Sequence, residues 1–156
     1  FRMGDSEIIC KMDEDDYNDI VATTADTLRP DEALKLDWDS VTSINFTLDD
    51  TTYTITHKGS KYTLDGEEVD FDDIKSAVDG LDIAEYNTET SDKKQEIALT
   101  VHLDNTDYPT LTLCAYQYDG ENCLVTLNDT TLGFAKRSLV VDLEEAVNAV
   151  VLGVES

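Results

Sequence analysis

The sequence predicts an α+β protein made of antiparallel sheets from repeated strand–strand–strand–helix units, with the helices packed on one sheet face. Three observations predict this. Runs of alternating apolar and polar residues are separated by two-residue turn signals, so neighbouring strands are antiparallel. Each group of such runs is followed by apolar residues at helical spacing. One stretch also echoes another 63 positions later (Thr63 to Thr126).

The first segment, residues 1–36, reads as a hairpin and a helix, the tail of an upstream repeat. Residues 7–12 are strand-like after a Gly4-Asp5-Ser6 turn. Asp13 is a good N-cap, and Glu14, Asp15 and Asp16 favour the positive end of the helix dipole. Tyr17, Ile20, Val21, Thr24 and Leu28 form an apolar stripe that Pro30 ends.

Residues 37–90 form the first α+β repeat. Ile44, Phe46 and Leu48 alternate with polar residues, Asp49-Asp50 turns the chain, and Tyr53, Ile55 and His57 alternate again. Gly59-Ser60 and Asp65-Gly66 bracket a strand with Tyr62 and Leu64. Asp70 or Asp72 then caps a helix through Ile74, Ala77, Val78 and Leu81. Polar residues 87–95 read as a loop.

Residues 91–156 form the second repeat. Ile97, Leu99, Val101 and Leu103 alternate, followed by Leu111, Leu113 and Ala115, then Cys123, Val125 and Leu127. Ser138 caps a helix through Leu139, Leu143, Ala146, Val147 and Val150, and Gly153 stands at a C-cap position. Thr63-Leu64-Asp65-Gly66 through Phe71 matches Thr126-Leu127-Asn128-Asp129 through Phe134 in Thr, Leu and Phe. The sheet face away from the helices is expected to be solvated and rich in threonine.

The 156-residue chain can bury a core without metals or disulfides. Its formal net charge is −24, from 35 acidic and 11 basic residues. Such a charge excludes nucleic acid, whose binding needs cations to displace phosphate counterions. No stretch approaches the length needed to span a bilayer, so this fragment is expected not to insert into a membrane. The chain opens on Phe1, directly in strand-like sequence, and we expect an upstream signal or anchor.

Chemistry-bearing motifs are sparse. Cys10, Cys114 and Cys123 form no CxxC pair. With Asp119-Gly120 as a two-residue turn, Cys123 pairs with Tyr116 and shares a face with Cys114 on a diagonal, a poor disulfide geometry. Free, buried thiols are expected. His57 and His102 read as structural or surface residues, and no metal site or cofactor is assigned. The acidic runs at 13–16 and 70–73 lack the ligand order of a calcium loop. No nucleophile motif or phosphate loop is present, and no catalytic residue is assigned. Asn45-Phe46-Thr47 and Asn128-Asp129-Thr130 match the glycosylation sequon. Tyr116 and Tyr118 share a strand face with Thr112 and Cys114. If the opposite Leu111, Leu113 and Ala115 face is buried, the tyrosines point outward and form a candidate interaction face for sugars or a peptide.

The stretch from Leu36-Asp37-Trp38-Asp39-Ser40-Val41-Thr42-Ser43-Ile44 into Lys61-Tyr62-Thr63-Leu64-Asp65-Gly66-Glu67-Glu68-Val69-Asp70 and a short helix resembles the bacterial DUF4340 family, a domain of unknown function. The strands from Ile97 to Leu127 and the final helix are similar to its second half. Tyr62 stands where that pattern usually has Trp. The resemblance implies a repeated domain outside the cytoplasmic membrane, tethered by an N-terminal segment and accessory to an envelope transport system. It carries over no catalytic residues.

The sequence therefore leads us to expect a non-enzymatic extracytoplasmic interaction or scaffolding domain with a protein or cell-envelope partner. A small-ligand or divalent-cation module, and a hydrolase with an unfamiliar carboxylate site, are the alternatives.

Overall fold

Hairpin turns set the architecture of the computed structural model, which describes residues 31–90 and 92–154. The expected strand at 7–12, the helix ending at Pro30, and Cys10 lie outside the described residues. Strands β1 (Val41–Leu48) and β2 (Thr51–Lys58) are joined by Asp49-Asp50, with φ of +44° and +65°. Gly59, at φ +66°, leads into β3 (Lys61–Leu64), and Asp65-Gly66, at +52° and +91°, leads into β4 (Glu67–Val69). Two consecutive positive φ values match the twist of adjoining strands, and Asp, Asn and Gly tolerate them best.

Helix α1 (Asp72–Asp79) follows, then β5 (Ile83–Tyr86). A second meander comprises β6 (Gln95–Leu103), β7 (Thr110–Gln117), β8 (Asn122–Leu127) and β9 (Thr130–Lys136), and it ends in α2 (Arg137–Val154). Asn128-Asp129, at φ +48° and +63°, makes the β8–β9 turn. The two stretches matched 63 positions apart therefore both lie at two-residue hairpins, β3–β4 and β8–β9. They diverge afterwards. Phe71 caps α1 and is buried in the core, whereas Phe134 lies within β9 against Tyr118, with ring centroids 4.5 Å apart.

Among the described residues the strands form a single nine-stranded antiparallel sheet in the order β4-β3-β2-β1-β6-β7-β8-β9-β5. This corrects the expected architecture of several sheets made from three-stranded units. A four-stranded meander leads into each helix, and β5 stands between the first helix and the second meander. Glu67-Glu68-Val69 is too short and polar to show alternation, and a bulge together with Gly133 breaks the alternation in β9. Residues 37–90 and 91–156 both contribute to this one sheet.

Helix boundaries shift slightly from expectation. Asp70 Oδ1 accepts the Asp72 N–H at 3.1 Å, so the cap comes from before the helix, while Asp72 is its first residue. Ser138 and Gly153 both fall inside α2 rather than capping it. Among the described residues no helix is long and apolar enough to cross a membrane.

The core lies between the sheet and both helices. Ile44, Phe46, Ile97, Leu99 and Val101 from the central strands meet Ile74 and Val78 of α1 and Val140, Leu143 and Val147 of α2. Each of these side chains is at most 2% exposed. Burying one such side chain contributes about 1.5–3 kcal/mol. At the α1 end, Tyr62 is stacked between His57 and Phe71, at centroid distances of 4.3 and 4.2 Å. The Lys75 ammonium lies 4.9 Å from the Tyr62 ring. A short 3-10 turn, Trp38–Ser40, closes this end, with the indole N–H donating to Asp79 of α1 at 3.1 Å.

Two substitutions test this packing. A Cβ built on Gly133, at φ +154°, meets the Glu85 carbonyl oxygen at 2.2 Å, because β5 presses against β9 there. Gly133→Ala is expected to destabilise the fold by about 3 kcal/mol in urea unfolding. The buried Tyr62 hydroxyl has no hydrogen-bond partner among the described residues. Tyr62→Phe should therefore raise stability by about 1 kcal/mol, where loss of a satisfied hydroxyl would lower it.

Candidate functional site

Alternation along the strands sends one set of side chains inward and the other to the opposite face, and the registers align the outward set in rows. One row runs Thr54, Asn45, Thr100, Thr112, and another Thr52, Thr47, Ala98, Cys114, Thr126. Ser43 and Thr56, and Thr56 and Thr63, pair similarly. From β3 to β8, the outward positions carry charge only at the corner formed by Lys58 and Lys61. The chain as a whole is 29% charged.

The outward side chains are tied to one another laterally. Thr54 Oγ1 donates to Asn45 Oδ1 at 3.0 Å, and Asn45 Nδ2 lies 3.4 Å from His102 Nε2. Thr110 Oγ1 is 3.5 Å from His102 Nδ1, and the Thr47 and Thr52 hydroxyls are 2.9 Å apart. The result is a polar surface whose groups are held in place by the strands and by neighbours. Strand-borne sites of this kind hold geometry better than loop sites.

Leu113 and Ala115 are buried in the helix-covered core, so Tyr116 points to the outer face with Cys114 and Thr112. The two tyrosines sit differently. Tyr116 is half-buried opposite Leu124, and burial together with the neighbouring Cys114 raises its phenol pKa. Tyr118 lies beyond the end of β7 and packs on Phe134. Its hydroxyl donates to Glu89 Oε2 at 2.8 Å, and this bond raises its pKa.

Glu89 belongs to the expected 87–95 loop, whose non-strand part ends at Lys94. This connection leaves β5 at the sheet edge and must pass β9, β8 and β7 to enter β6. Thr131 Oγ1 donates to the Glu89 carbonyl at 2.9 Å, which anchors the connection on the outer face. Tyr118 thus holds a loop, and Tyr116 remains the aromatic member of the open face.

A second feature occupies the inner side. A groove of about 420 Å³ is lined by Asp49, Tyr53, Lys94, Glu96, Arg137 and Glu144, among others. Strict alternation would place Glu96 outward beside Ala98. A bulge between Gln95 and Ile97 re-aims it. Arg137 Nε and Nη2 donate to Glu96 Oε1 at 2.9 and 2.7 Å, and the Cys123 thiol donates to Oε2 at 3.1 Å. Both carboxylate oxygens are engaged, so Glu96 serves as an anchor between β6, β8 and the start of α2. Lys94 pairs with Asp49 at 2.6 Å, and the ammonium lowers the Asp49 pKa. Glu144 is pushed up, first by burial and then by the Glu96 charge. Sequence reasoning missed this cluster because its signal is a bulge, which alternation hides.

Cys114 and Cys123 are free, as expected, but they do not share a face, and Cys114 is only half-buried. Asp119 Oδ1 accepts the N–H groups of Glu121 and Asn122 at 2.7 Å, which makes a three-residue loop in place of a two-residue turn. Cys123 consequently pairs with Gln117, not Tyr116, and faces the core. Cys114 pairs with Thr126 on the outer face. One residue of register puts the two thiols on opposite sides of the sheet, and both are free. Burial, and then the bond to Glu96, push the Cys123 pKa up to about 12, so this thiol stays protonated.

Both histidines have partners. His57 Nδ1–H donates to the Val41 carbonyl at 2.7 Å, and His102 lies within the outer polar rows. Among the described residues no group of three or more His, Cys, Asp and Glu is placed to hold a metal ion.

No family model, curated protein or solved structure matches this chain.

The raised Glu144 pKa sets a stability test. A carboxyl whose folded pKa lies above its unfolded value penalises the fold once ionised, so stability falls as pH rises through that interval and the penalty is absent below it. Glu144→Gln is expected to raise the melting temperature at pH 7, with the gain vanishing below pH ~4. Calorimetry of both proteins across this range measures it, and an equal gain at every pH would assign the effect to packing.

Proposed function

We propose that this chain is a non-enzymatic interaction domain of the cell envelope that docks an uncharged partner surface on the outer face of its sheet. The carrying observation is the distribution of charge. A chain of net charge −24 keeps six adjacent strands almost free of charged side chains on one face. That face instead offers hydroxyl, amide and imidazole groups, with Tyr116 at one end. Such groups can exchange their hydrogen bonds with water for bonds to a partner without the large desolvation cost of ions. The acidic remainder repels anionic surfaces and so favours approach by this face.

The envelope location and the accessory role in transport rest on the resemblance in sequence pattern. Internal duplication belongs to the same reading. It is supported by the equivalent places of the β3–β4 and β8–β9 hairpins, 63 positions apart (Leu64 and Leu127), and by two four-stranded meanders that each lead into a helix.

Site-specific photo-cross-linking in intact source cells tests the proposal. A benzophenone side chain at Thr54 of the full-length protein should give a discrete adduct that Thr100→Asp suppresses, with the far-ultraviolet spectrum unchanged. Absence of an adduct from Thr54, or an equal adduct from a probe at Asp142 on α2, would refute the proposed face.

A further inference from the structure

We propose that a second surface, the groove between the β4 edge and the later half of α2, accepts an extended cationic segment of a partner protein. The groove has a volume of about 310 Å³ and is lined by Glu68, Val69 and Asp70 of the β4 region, Asp73 of α1, and Ala146, Ala149 and Val150 of α2, with Gly153 beyond them. Three features combine here.

The first is the edge itself. β4 ends the sheet, and among the described residues no other strand pairs with its outer side. Its backbone can accept a further strand by the same hydrogen bonds that join β3 to β4. The second is the wall. The core stripe of α2 is Val140, Leu143, Val147 and Val151, whereas Ala146, Ala149 and Val150 turn away from it toward β4. Ala149 is exposed, and Ala146 and Val150 are half-buried. Their small size lets a strand approach closely. With Val69 they make an apolar floor.

The third feature selects the occupant. Every charged residue lining this groove is acidic: Glu68, Asp70 and Asp73. The polar groove at the other end of the core differs, because Lys94 and Arg137 stand among its carboxylates. Glu68 already pairs with Lys61 across the β3–β4 hairpin, so a basic side chain on this strand edge has a precedent within the chain. Two glutamates on a short edge also discourage pairing with another copy of this acidic chain. A strand with alternating apolar and basic residues satisfies all three features. Its apolar side chain meets Val69, Ala146 and Val150, and its flanking lysine or arginine meets Asp70 and Asp73.

The probe is the peptide acetyl-Arg-Val-Lys-Val-Arg-amide, titrated into the full chain and followed by amide chemical shifts, with acetyl-Glu-Val-Glu-Val-Glu-amide as control. Shifts are expected to concentrate at Val69, Val150 and the Glu67–Val69 amides, with none from the acidic peptide. Ala149→Arg and Asp73→Lys, both on exposed positions, should each weaken binding about tenfold, and the remote Asp107→Lys less than about twofold. Equal weakening by all three variants would show diffuse attraction to an acidic surface and overturn the site. Shifts on the outer face, or no binding at millimolar peptide, would overturn it too.

Discussion

The pairing of β1 with β6 is the constraint on which the rest depends. It joins residues far apart in sequence, from Leu48 opposite Ile97 (97 − 48 = 49 positions) to Val41 opposite Leu103 (103 − 41 = 62). Every other ladder except that of β5 is a local hairpin. Without this ladder the chain would hold two separate meanders, each with an apolar face and one helix, and neither face could be buried well alone. The register makes the union productive. Ile44 opposes Val101 and Phe46 opposes Leu99, so the most buried side chains of both halves fall on one side. A slip of one residue would carry a whole strand's apolar set to the other face.

Topology follows from that central ladder. With β6 beside β1, the second meander grows away from the first, and β9 ends far from the centre. β5 pairs with β9, so the connection from β5 to β6 must return over three strands. The helices occupy the inner face, which leaves the outer face for the return. Glu89 is where the crossing is fastened, by its carboxylate to Tyr118 and its carbonyl to Thr131. Phe134 and the fully buried Leu124, which point outward, are sheltered at this end of the sheet. The outer face thus has a covered end at β8–β9 and an open polar expanse over β2, β1, β6 and β7.

The parts legible in the sequence were those governed by local chemistry. Alternation in Ile44-Asn45-Phe46 and Ile97-Ala98-Leu99 reveals strands and their faces, Asp49-Asp50 and Asp65-Gly66 reveal turns, and a solvated, threonine-rich face is expected from the same alternation. What stayed hidden depended on partners distant in sequence or on single-residue irregularities. β5 and β4 are too short to show a period, and β5 is a strand only because Gly133 lets it approach β9. The orientation of Cys123 hinged on whether the Asp119 carboxylate gathered one further amide into the loop. Glu96 joined Arg137 only through a bulge. The tyrosine face was legible in part: burial of Leu113 and Ala115 decides that Tyr116 points outward, but the role of Tyr118 depends on a loop from another part of the chain.

The placement of charge connects fold to function. A strongly acidic chain experiences self-repulsion that opposes compaction, and the fold spreads it over turns, helix starts and loops: Asp49, Asp50 and Asp65 at hairpins, and Asp70, Asp72 and Asp73 around the start of α1. These positions suit carboxylates for local reasons, because they tolerate positive φ or accept helix N–H groups. Sheet positions impose a different demand. Outward side chains on neighbouring strands stand about 5 Å apart, where like charges oppose one another directly. Threonine, serine and asparagine avoid that repulsion and bond laterally, as the Thr54–Asn45 pair does. The neutrality of the outer face is therefore a requirement of a wide sheet in an acidic chain before it is a recognition surface. The same requirement lapses at β4, where the sheet ends and one flank has no neighbouring strand among the described residues. Acidic side chains reappear at that edge, so the change from neutral face to acidic groove follows the boundary of the sheet itself.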